Sequence, residues 1–386
     1  MERTSRRMDG FSSFIVMDIL EAALELEARG HDVVHLEIGE PDFQPPEPVV
    51  EAMARAVRDG KTHYTHSLGI PELREAIAAT YHEDFGLDVS PERVCVTSGT
   101  SAAFLMVFAA LAESGDTVVV TDPGYPCYPN FARLVSAAVR AVPVSEEEGF
   151  ELTPELLARH DVSRAALVVV SSPANPTGAV TRRGTYEWLA GCGAPVLSDE
   201  IYRGLTYGGV QDFTALQVDD RTIVVDGFSK RYAMTGCRLG WVVVPPGMVR
   251  SMNRLAQNLY ICPPSPSQWG GLAALAHGKP FVAAMRAQYD LRRRALLDGL
   301  RGLGFGVSHE PAGAFYVFAD ISRFSGDSHA FCLKMLHEAH VAATPGTDFG
   351  KFRTNRYVRF AYTSSLERIT EALGRLAIWT ASLPRT

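Results

Sequence analysis

The stretch that decides the fold runs from residue 222 to residue 244 and reads TIVVDGFSKRYAMTGCRLGWVVV. Two short apolar runs, 222–226 and 241–244, flank a loop that contains Lys230 and Arg238. Both runs are rich in valine and almost continuously apolar, which is typical of strands covered on both faces. The loop therefore brings cations, Lys230 and Arg238 among them, to the ends of buried strands, where a charge requires a partner or a ligand.

Runs of the same kind alternate with helical patterns, such as Ser101–Glu113 and Tyr186–Gly191, through the middle of the chain. This alternation predicts an α/β domain with a mostly parallel central sheet, which we place at residues 45–278. The other runs that we expect to be strands are RVCVT at 93–97, TVVVT at 117–121, ALVVV at 166–170 and APVLS at 194–198.

The two flanks of this domain have a different pattern. A long amphipathic helix rich in Arg and Leu is predicted at 281–305, and strands are predicted at 314–318 (AFYVF) and 357–361 (YVRFA). This mixture predicts a smaller α+β domain, composed of residues 1–44 and 279–386.

Composition narrows the class of protein. The 386-residue chain is 46% hydrophobic and 21% charged, which is ordinary for a folded globular protein. Its 37 Lys and Arg against 44 Asp and Glu give a net charge of −7, so we expect neither nucleic acid nor an anionic membrane as a partner. The six cysteines are scattered singly, which argues against a zinc site or a disulfide framework and favours the reducing cytoplasm.

The N-terminal residues predict neither export nor membrane insertion. Their apolar patch is short, is interrupted by Asp18 and has no small-residue cleavage site after it, so we expect no signal peptide. The longest apolar run, around 102–111, has about half the length that a membrane span needs. The sequence thus predicts a soluble, cytoplasmic protein.

Small and polar residues directly follow the predicted strands. In an open α/β sheet, ligands bind beyond the carboxyl ends of the strands, so these segments are expected to meet at one rim. Ordinary surface loops would explain their glycine and proline, but not single charged residues next to buried strands. The segments are SGTS at 98–101, DPGY at 122–125, SSPANPTG at 171–178, DEIY at 199–202 and GFSK at 227–230.

Three of these segments carry a resemblance to a known family. SPANPTG at 172–178, SDEIY at 198–202 and FSKRYAMTGCRLG at 228–240 resemble the signature of class I/II aminotransferases, which are pyridoxal-phosphate enzymes of fold type I. The resemblance implies the α/β fold of that type, pyridoxal 5'-phosphate as cofactor and transamination as reaction. Further matches follow in the family's order along nearly the whole chain: EPDF at 40–43, HYTHSLG at 63–69, PGY at 123–125, PGTDFG at 345–350 and RFA at 359–361.

Lys230 is the predicted catalytic residue. A lysine that forms a Schiff base must offer a neutral amine, and partial burial near other cations lowers its affinity for a proton. The resemblance assigns Lys230 the covalent link to the cofactor and then the transfer of a proton between the substrate α-carbon and the cofactor. The alternative is a surface lysine in a loop rich in Gly and Ser.

The resemblance also implies that Asp199, Tyr202 and Asn175 surround the cofactor ring. Asp199 would face the pyridine nitrogen and keep it protonated, which makes the ring an electron sink. Tyr202 and Asn175 would hydrogen-bond the phenolic oxygen. The alternatives are a helix N-cap for Asp199 and a turn residue for Asn175.

A phosphate site is predicted where SGTS ends a strand and opens a long apolar helix. Backbone amides at a helix N-terminus attract anions, and Gly99 lets the backbone come close. By resemblance, the amides of Thr100 and Ser101 contribute to this site. Ser229 and Arg238 complete it, and Arg238 supplies a permanent positive charge.

Two tyrosines complete the cofactor site that the resemblance implies. Tyr125 would stack on the ring face, although a core tyrosine is the alternative. Tyr64 corresponds to a residue that reaches the phosphate of the partner subunit, so the resemblance implies a homodimer. His63 and His66 flank Tyr64, but no third ligand is evident and we expect no metal.

Arg359 is predicted at the end of a strand that begins at Arg356. By resemblance it holds the α-carboxylate of the substrate through a bidentate pair, which Asn175 supplements. Gly39 would let the backbone approach the same carboxylate. A charge on an edge strand is the alternative, but the apolar neighbours of Arg359 argue against it.

The resemblance therefore implies an aminotransferase that moves an α-amino group from an amino acid to a 2-oxo acid by ping-pong chemistry. A carbon–sulfur β-lyase of the same fold shares these residues and is the alternative enzyme. A non-catalytic binding protein is a third possibility, but the motifs retain their Lys, Asp and Arg. No second arginine for a dicarboxylic side chain is evident, so we expect a neutral or aromatic donor. The residues expected to select it are Phe14, Ile15, Tyr64, Tyr125 and the loop near Tyr260.

Overall fold

The structure is a computed structural model that describes Ser5, Met8, Gly10, Phe11 and residues 13–383. Residues 1–4, 6, 7, 9, 12 and 384–386, which belong to the predicted small domain, lie outside the described residues. Within the described part of the chain, no helix is both long enough and apolar enough to cross a membrane.

A seven-stranded sheet organises the middle of the chain. The strands of the described residues are β1 (Val34–His35), β2 (Val94–Thr97), β3 (Thr117–Asp122), β4 (Ala138–Pro143), β5 (Leu167–Ser171), β6 (Val196–Asp199), β7 (Ile223–Gly227), β8 (Gly240–Val243), β9 (Tyr316–Asp320), β10 (Val341–Ala342), β11 (Thr344–Pro345) and β12 (Tyr357–Ala361). The large sheet has the order β2-β8-β7-β6-β5-β3-β4. Strand β8 is antiparallel to both of its neighbours and the other neighbouring pairs are parallel, so the predicted mostly parallel sheet is confirmed.

Both faces of the large sheet are buried. Along β5, Leu167 and Val169 belong to one hydrophobic cluster, and Val168 and Val170 belong to another on the opposite face. Such strands are apolar at every position rather than at every second position, because helices cover both of their faces. The helices of the described residues are α1 (Ile15–Ala28), α2 (Glu47–Arg58), α3 (Pro71–Phe85), α4 (Thr100–Leu111), α5 (Cys127–Leu134), α6 (Pro154–Arg159), α7 (Arg183–Cys192), α8 (Val249–Leu259), α9 (Ser265–His277), α10 (Lys279–Leu303), α11 (Ser328–Ala339) and α12 (Leu366–Ser382).

A smaller antiparallel sheet has the order β11-β12-β9, and β1 pairs in parallel with β10. A third hydrophobic cluster joins this sheet to α1, α10, α11 and α12. Strand β12 has the bounds predicted for it, 357–361, and Arg359 lies at its centre, opposite Phe318 and Thr344, so the prediction that Arg359 ends a strand beginning at Arg356 is wrong. The pairing continues beyond Arg359 because Phe360 and Ala361 are apolar and fully buried between the neighbouring elements.

The topology positions a site at one edge of the large sheet. Strands β5 and β6 are parallel neighbours and end at Ser171 and Asp199, so the loops that follow them lie side by side. Strand β7 is parallel to β6 and leads into the loop that contains Lys230. The domain boundaries at 45–278, and at 1–44 with 279–386, stay a prediction.

Candidate active site

A cavity of about 270 Å³ lies beyond the carboxyl ends of β5 and β6, and its opposite wall belongs to β9 and β12. Residues at the start of α1 and of α4 complete the wall. Many of the residues predicted from sequence therefore meet here, although they come from distant parts of the chain. The predicted residues that line the cavity are Gly39, Thr100, Tyr125, Asn175, Asp199, Tyr202, Lys230 and Arg359.

Lys230 presents its amine to this cavity. Its Nζ donates a hydrogen bond of 2.7 Å to the carbonyl oxygen of Gly39. Burial lowers the pKa of Lys230 to about 8; the Glu40 carboxylate opposes this change, and the charges of Arg359 and Arg238 add to it. A substantial fraction of the amine is therefore neutral near physiological pH, which is what a nucleophilic lysine requires.

Asp199 is a buried carboxylate that two hydrogen bonds orient. The backbone N–H of Ile201 donates to Oδ1 at 3.1 Å, and the hydroxyl of Tyr128 donates to Oδ2. Burial raises the pKa of Asp199 to about 6, while the bonds from Tyr128 and Ile201 favour the ionised form. Within residues 13–383, no lysine or arginine is at ion-pair distance from this carboxylate.

Tyr202, Asn175 and Tyr125 surround the same space. The hydroxyl oxygens of Tyr202 and Tyr316 are 2.8 Å apart. Asn175 is buried, and its Oδ1 accepts a hydrogen bond of 3.0 Å from Arg359. Tyr125 is partly buried at the cavity wall, where the rings of Phe14 and Tyr128 pack against it in T-shaped contacts.

The predicted phosphate site lies at the beginning of α4. Gly99 has a φ of +77°, and no side chain caps the first amides of the helix. The Arg238 guanidinium packs against Gly99 so closely that a Cβ there would lie 2.9 Å from Arg238 Cζ. Thr100 lines the cavity, whereas Ser101 is exposed and Ser229 is buried next to Lys230. The free helix terminus and the cation together form an environment suited to an anion.

Arg359 reaches the cavity from β12. Its Nη1 donates to Asn175 Oδ1, and its Nη2 donates to Thr344 Oγ1 at 3.1 Å and to the carbonyl oxygen of Glu37. Its Nε is buried without a hydrogen-bond partner. The guanidinium lies over the ring of Tyr316, with Cζ 4.3 Å from the ring centroid. These contacts use three of the five N–H donors and hold the guanidinium plane in place, while the Nε donor remains available.

Tyr64 lies outside the cavity and is 79% exposed. The loop that carries it packs against the segment after α8, where the Thr65 N–H lies 3.4 Å from Cys262 Sγ. Within the described chain, Tyr64 therefore contributes nothing to the cavity that contains Lys230.

Sequence reasoning missed Tyr128 and Tyr316. Tyr125 lies two residues before α5 and Tyr128 lies in its first turn, where the Tyr128 N–H donates to the carbonyl oxygen of Tyr125. The short spacing in the sequence could have indicated that the two rings are neighbours, and their centroids are 5.3 Å apart. Tyr316 carried no such signal, because every residue of β9 is buried. Among the residues expected to select the substrate, Phe14 and Tyr125 line the cavity, whereas the backbone N–H of Ile15 donates to Asp348 at 2.9 Å.

Residues 31–376 match the family model described as "Aminotransferase class I and II". The chain belongs to this family. It is 41% identical to the valine–pyruvate aminotransferase of Mycobacterium tuberculosis over 97% of each chain. It is also 38% identical to the aspartate/prephenate aminotransferase of Thermus thermophilus over 98% of each chain. The predicted family and the predicted aminotransferase activity are confirmed.

Solved structures give the same result for the fold of this aminotransferase. The crystal structure of an aminotransferase from Mycobacterium tuberculosis matches 99% of the chain and 100% of its own, with a TM-score of 0.95 and 39% identity. The Thermus thermophilus aspartate aminotransferase with maleate matches 98% of the chain and 100% of its own, with a TM-score of 0.92 and 38% identity. The predicted α/β fold of fold type I is confirmed.

Class I/II aminotransferases use pyridoxal phosphate, and the residues of the cavity fit this group. Asp199 is a buried carboxylate without a cationic partner in the described chain, which suits a protonated pyridine nitrogen. The uncapped start of α4 beside Arg238 suits a phosphate. The partly neutral amine of Lys230 suits an aldehyde.

The contact between Tyr128 and Asp199 predicts a pH dependence of cofactor affinity. The Tyr128→Phe substitution removes a donor to the ionised carboxylate, so the pKa of Asp199 should rise further and the charge should be lost at a higher pH. At a pH above the pKa of Asp199 in both proteins, the variant should bind pyridoxal phosphate as the wild type does. Its relative affinity should fall as the pH decreases, by roughly three- to tenfold near pH 6.

Binding of pyridoxal phosphate to the two apoenzymes, measured at matched pH values, tests this effect. Protonation of the free cofactor changes both affinities equally, so it cancels in their ratio. Tyr207→Phe is the control, because Tyr207 is equally buried and donates to the carbonyl oxygen of Ala314 at 2.7 Å. Identical affinities of Tyr128→Phe and wild type at every pH would contradict the role of Tyr128.

Proposed function

We propose that this aminotransferase carries pyridoxal phosphate on Lys230 and transfers the α-amino group of a neutral, apolar amino acid to a 2-oxo acid. The observation that carries the proposal is the Lys230 amine, whose pKa is lowered to about 8 in a cavity that also contains the buried Asp199 carboxylate and the Arg359 guanidinium. These three groups match the needs of an amine nucleophile, a ring-nitrogen partner and a carboxylate clamp.

The mechanism follows from where these side chains lie. When bound, pyridoxal phosphate supplies an electron sink that stabilises negative charge at the substrate α-carbon. Asp199 would hold the ring nitrogen, and the amides at the start of α4 with Ser229 and Arg238 would hold the phosphate. Lys230 Nζ would then take the proton from the substrate α-carbon and deliver it to the C4′ carbon of the cofactor.

Arg359 supports the substrate half of the proposal. Its two terminal nitrogens donate to oxygen atoms of the protein, which fixes the guanidinium plane. The unpartnered Nε is the donor that a carboxylate would satisfy. Gly39 lines the same wall, and its carbonyl oxygen accepts from Lys230, so the clamp and the amine face one space.

The lining of the cavity supports a neutral donor. Among the described residues that line it, Lys230 and Arg359 are the cations, and both have roles in the proposal. A second carboxylate on the substrate would therefore lose its hydration without a counter-charge from this subunit. Apolar side chains offer contacts instead, and they are Phe14, Val16, Met17, Ile38, Phe104 and Ile201. Of the two relatives named above, the valine–pyruvate aminotransferase agrees with this choice and the aspartate/prephenate aminotransferase does not, so the proposal rests on the cavity lining.

We further propose a homodimer in which Tyr64 reaches the active site of the partner. Val50 and Val57 lie on one face of α2, and both are exposed, as are Leu259 at the end of α8 and Ile261 after it. The loop with Tyr64 packs beside this second pair. Exposed large apolar side chains favour an interface, and a second copy of the chain would cover these four.

The role of Lys230 is testable by covalent trapping. Reduction of the cofactor-loaded enzyme with borohydride, followed by peptide mass spectrometry, should find the adduct on Lys230. Lys230→Ala should retain cofactor without an adduct and should lose transamination by roughly 100-fold or more, because no amine remains to move the α-proton. The control Lys279→Ala removes an exposed lysine that pairs with Glu83 and Asp84, and it should behave as wild type. An adduct on another lysine would refute the assignment.

The donor class is testable by single-turnover kinetics. Valine, leucine, alanine and phenylalanine should convert the bound cofactor at least about tenfold more efficiently than aspartate or glutamate, since the cavity offers no counter-charge for a second carboxylate. The absorbance of the cofactor measures each rate without an acceptor. Equal or greater efficiency with aspartate or glutamate would overturn the neutral-donor proposal. Pyruvate and ammonia from S-conjugates of cysteine without an acceptor would instead reveal β-lyase activity.

The shared site is testable with hybrid dimers. Tyr64→Ala and Lys230→Ala subunits are co-expressed with different tags, and the hybrid is purified through both tags. If Tyr64 serves the partner, one site of the hybrid contains both native residues, so the hybrid should be active where each variant homodimer is not. The assay uses limiting cofactor, at which the Tyr64→Ala homodimer is empty. A purified hybrid without activity would contradict the proposed role of Tyr64.

A further inference from the structure

Tyr316 joins two groups of site residues, and neither the sequence motifs nor the family likeness assigns it a role. It is the first residue of β9 and only 1% exposed, yet its side chain forms part of the cavity wall. Its hydroxyl oxygen lies 2.8 Å from that of Tyr202, which follows β6 of the large sheet. The contact therefore connects the small sheet to the large sheet at the place where β6 ends at Asp199 and the loop with Tyr202 begins.

The other side of the Tyr316 ring supports Arg359. The guanidinium carbon lies 4.3 Å from the ring centroid, a distance at which a cation is attracted to an aromatic face. Tyr316 also explains why residue 39 is glycine, because a Cβ at this position would lie 2.9 Å from Tyr316 Cζ. One side chain thus contacts Tyr202, Arg359 and Gly39.

The direction of the hydrogen bond between the two tyrosines follows from proton counting. Burial raises the pKa of Tyr316 and that of Tyr202 above the usual value, so both hydroxyls remain protonated near neutral pH. Each hydroxyl has a single proton to donate. When Tyr202 donates its proton into the cavity, Tyr316 must therefore be the donor between the two. A donor behind Tyr202 also polarises its hydroxyl and strengthens the bond that Tyr202 donates.

We propose that Tyr316 is a positioning residue for transamination, whose hydroxyl donates to Tyr202 so that Tyr202 donates to the phenolic oxygen of pyridoxal phosphate, and whose ring holds Arg359 for the substrate carboxylate. The proposal rests on the proposed function, because it requires the cofactor in this cavity. It adds a residue that couples the cofactor contacts to the substrate contacts. The two roles use different parts of the side chain and are separable by substitution.

The hydroxyl role is tested by a double-mutant cycle with Tyr316→Phe and Tyr202→Phe. The readout is the pH midpoint of the absorbance change of the bound cofactor, without substrate. Donation to the phenolic oxygen favours its ionised form, so Tyr316→Phe should raise the midpoint by roughly half a pH unit to one pH unit. The double variant should match Tyr202→Phe alone, because Tyr316 acts through Tyr202.

The ring role is tested by comparing Tyr316→Phe with Tyr316→Leu. The ligand is 3-methylbutanoate, a monocarboxylate that cannot react because it has no amino group. Its binding is measured as a shift in the absorbance spectrum of the bound cofactor. Tyr316→Phe keeps the aromatic face and should bind it as wild type does. Tyr316→Leu removes that face and should weaken binding by roughly three- to tenfold, and KM for the amino acid should rise in parallel.

A merely structural role predicts other results. Tyr316→Phe would then leave the optical midpoint unchanged, or would change it by the same amount in the Tyr202→Phe background, and either result overturns the hydroxyl role. Equal binding of 3-methylbutanoate by Tyr316→Leu and wild type overturns the ring role. Tyr207→Phe controls for the loss of a buried hydroxyl and should match wild type in both assays. If wild-type protein forms no adduct with pyridoxal phosphate, the proposed function itself has failed, and that result is read before any variant is compared.

Discussion

Strands that are buried on both faces have room for polar groups only at their ends, and this constraint organises the whole molecule. Strands β5 and β6 alternate their side chains between two hydrophobic clusters, so a charge within either strand would be buried without water. Ser171 and Asp199 are the residues at which these parallel strands end. Because the ends are adjacent, the loops that follow them converge on one cavity, and the active site is a consequence of the sheet.

The charges at this rim are compensated individually. Tyr128 and the N–H of Ile201 support the Asp199 carboxylate, and the carbonyl oxygen of Gly39 accepts from Lys230. Burial acts on the two titratable groups in opposite directions: it raises the pKa of the carboxyl group and lowers that of the amine. The same desolvation thus yields an amine that is partly neutral and a carboxylate that needs a cation, which is the pair that the chemistry of this family requires.

Contacts between the two sheets set the residues proposed to bind substrate relative to those proposed to bind the cofactor. Lys230 bonds to Gly39, Arg359 bonds to Asn175, and Tyr316 bonds to Tyr202. Each bond joins a loop of the large sheet to an element packed with the small sheet. These bonds hold the Lys230 amine and the Arg359 guanidinium on the walls of one cavity.

Much of this protein could be predicted from its sequence, because strand burial, helix periodicity and the loop motifs are local properties. The mostly parallel sheet follows from continuously apolar runs, and the motif around Lys230 indicated the family. Only the tertiary structure decided that Tyr128 orients Asp199 and that Tyr316 meets Tyr202. These contacts join residues far apart in the chain, and they depend on how sheets and helices pack, which no local pattern encodes.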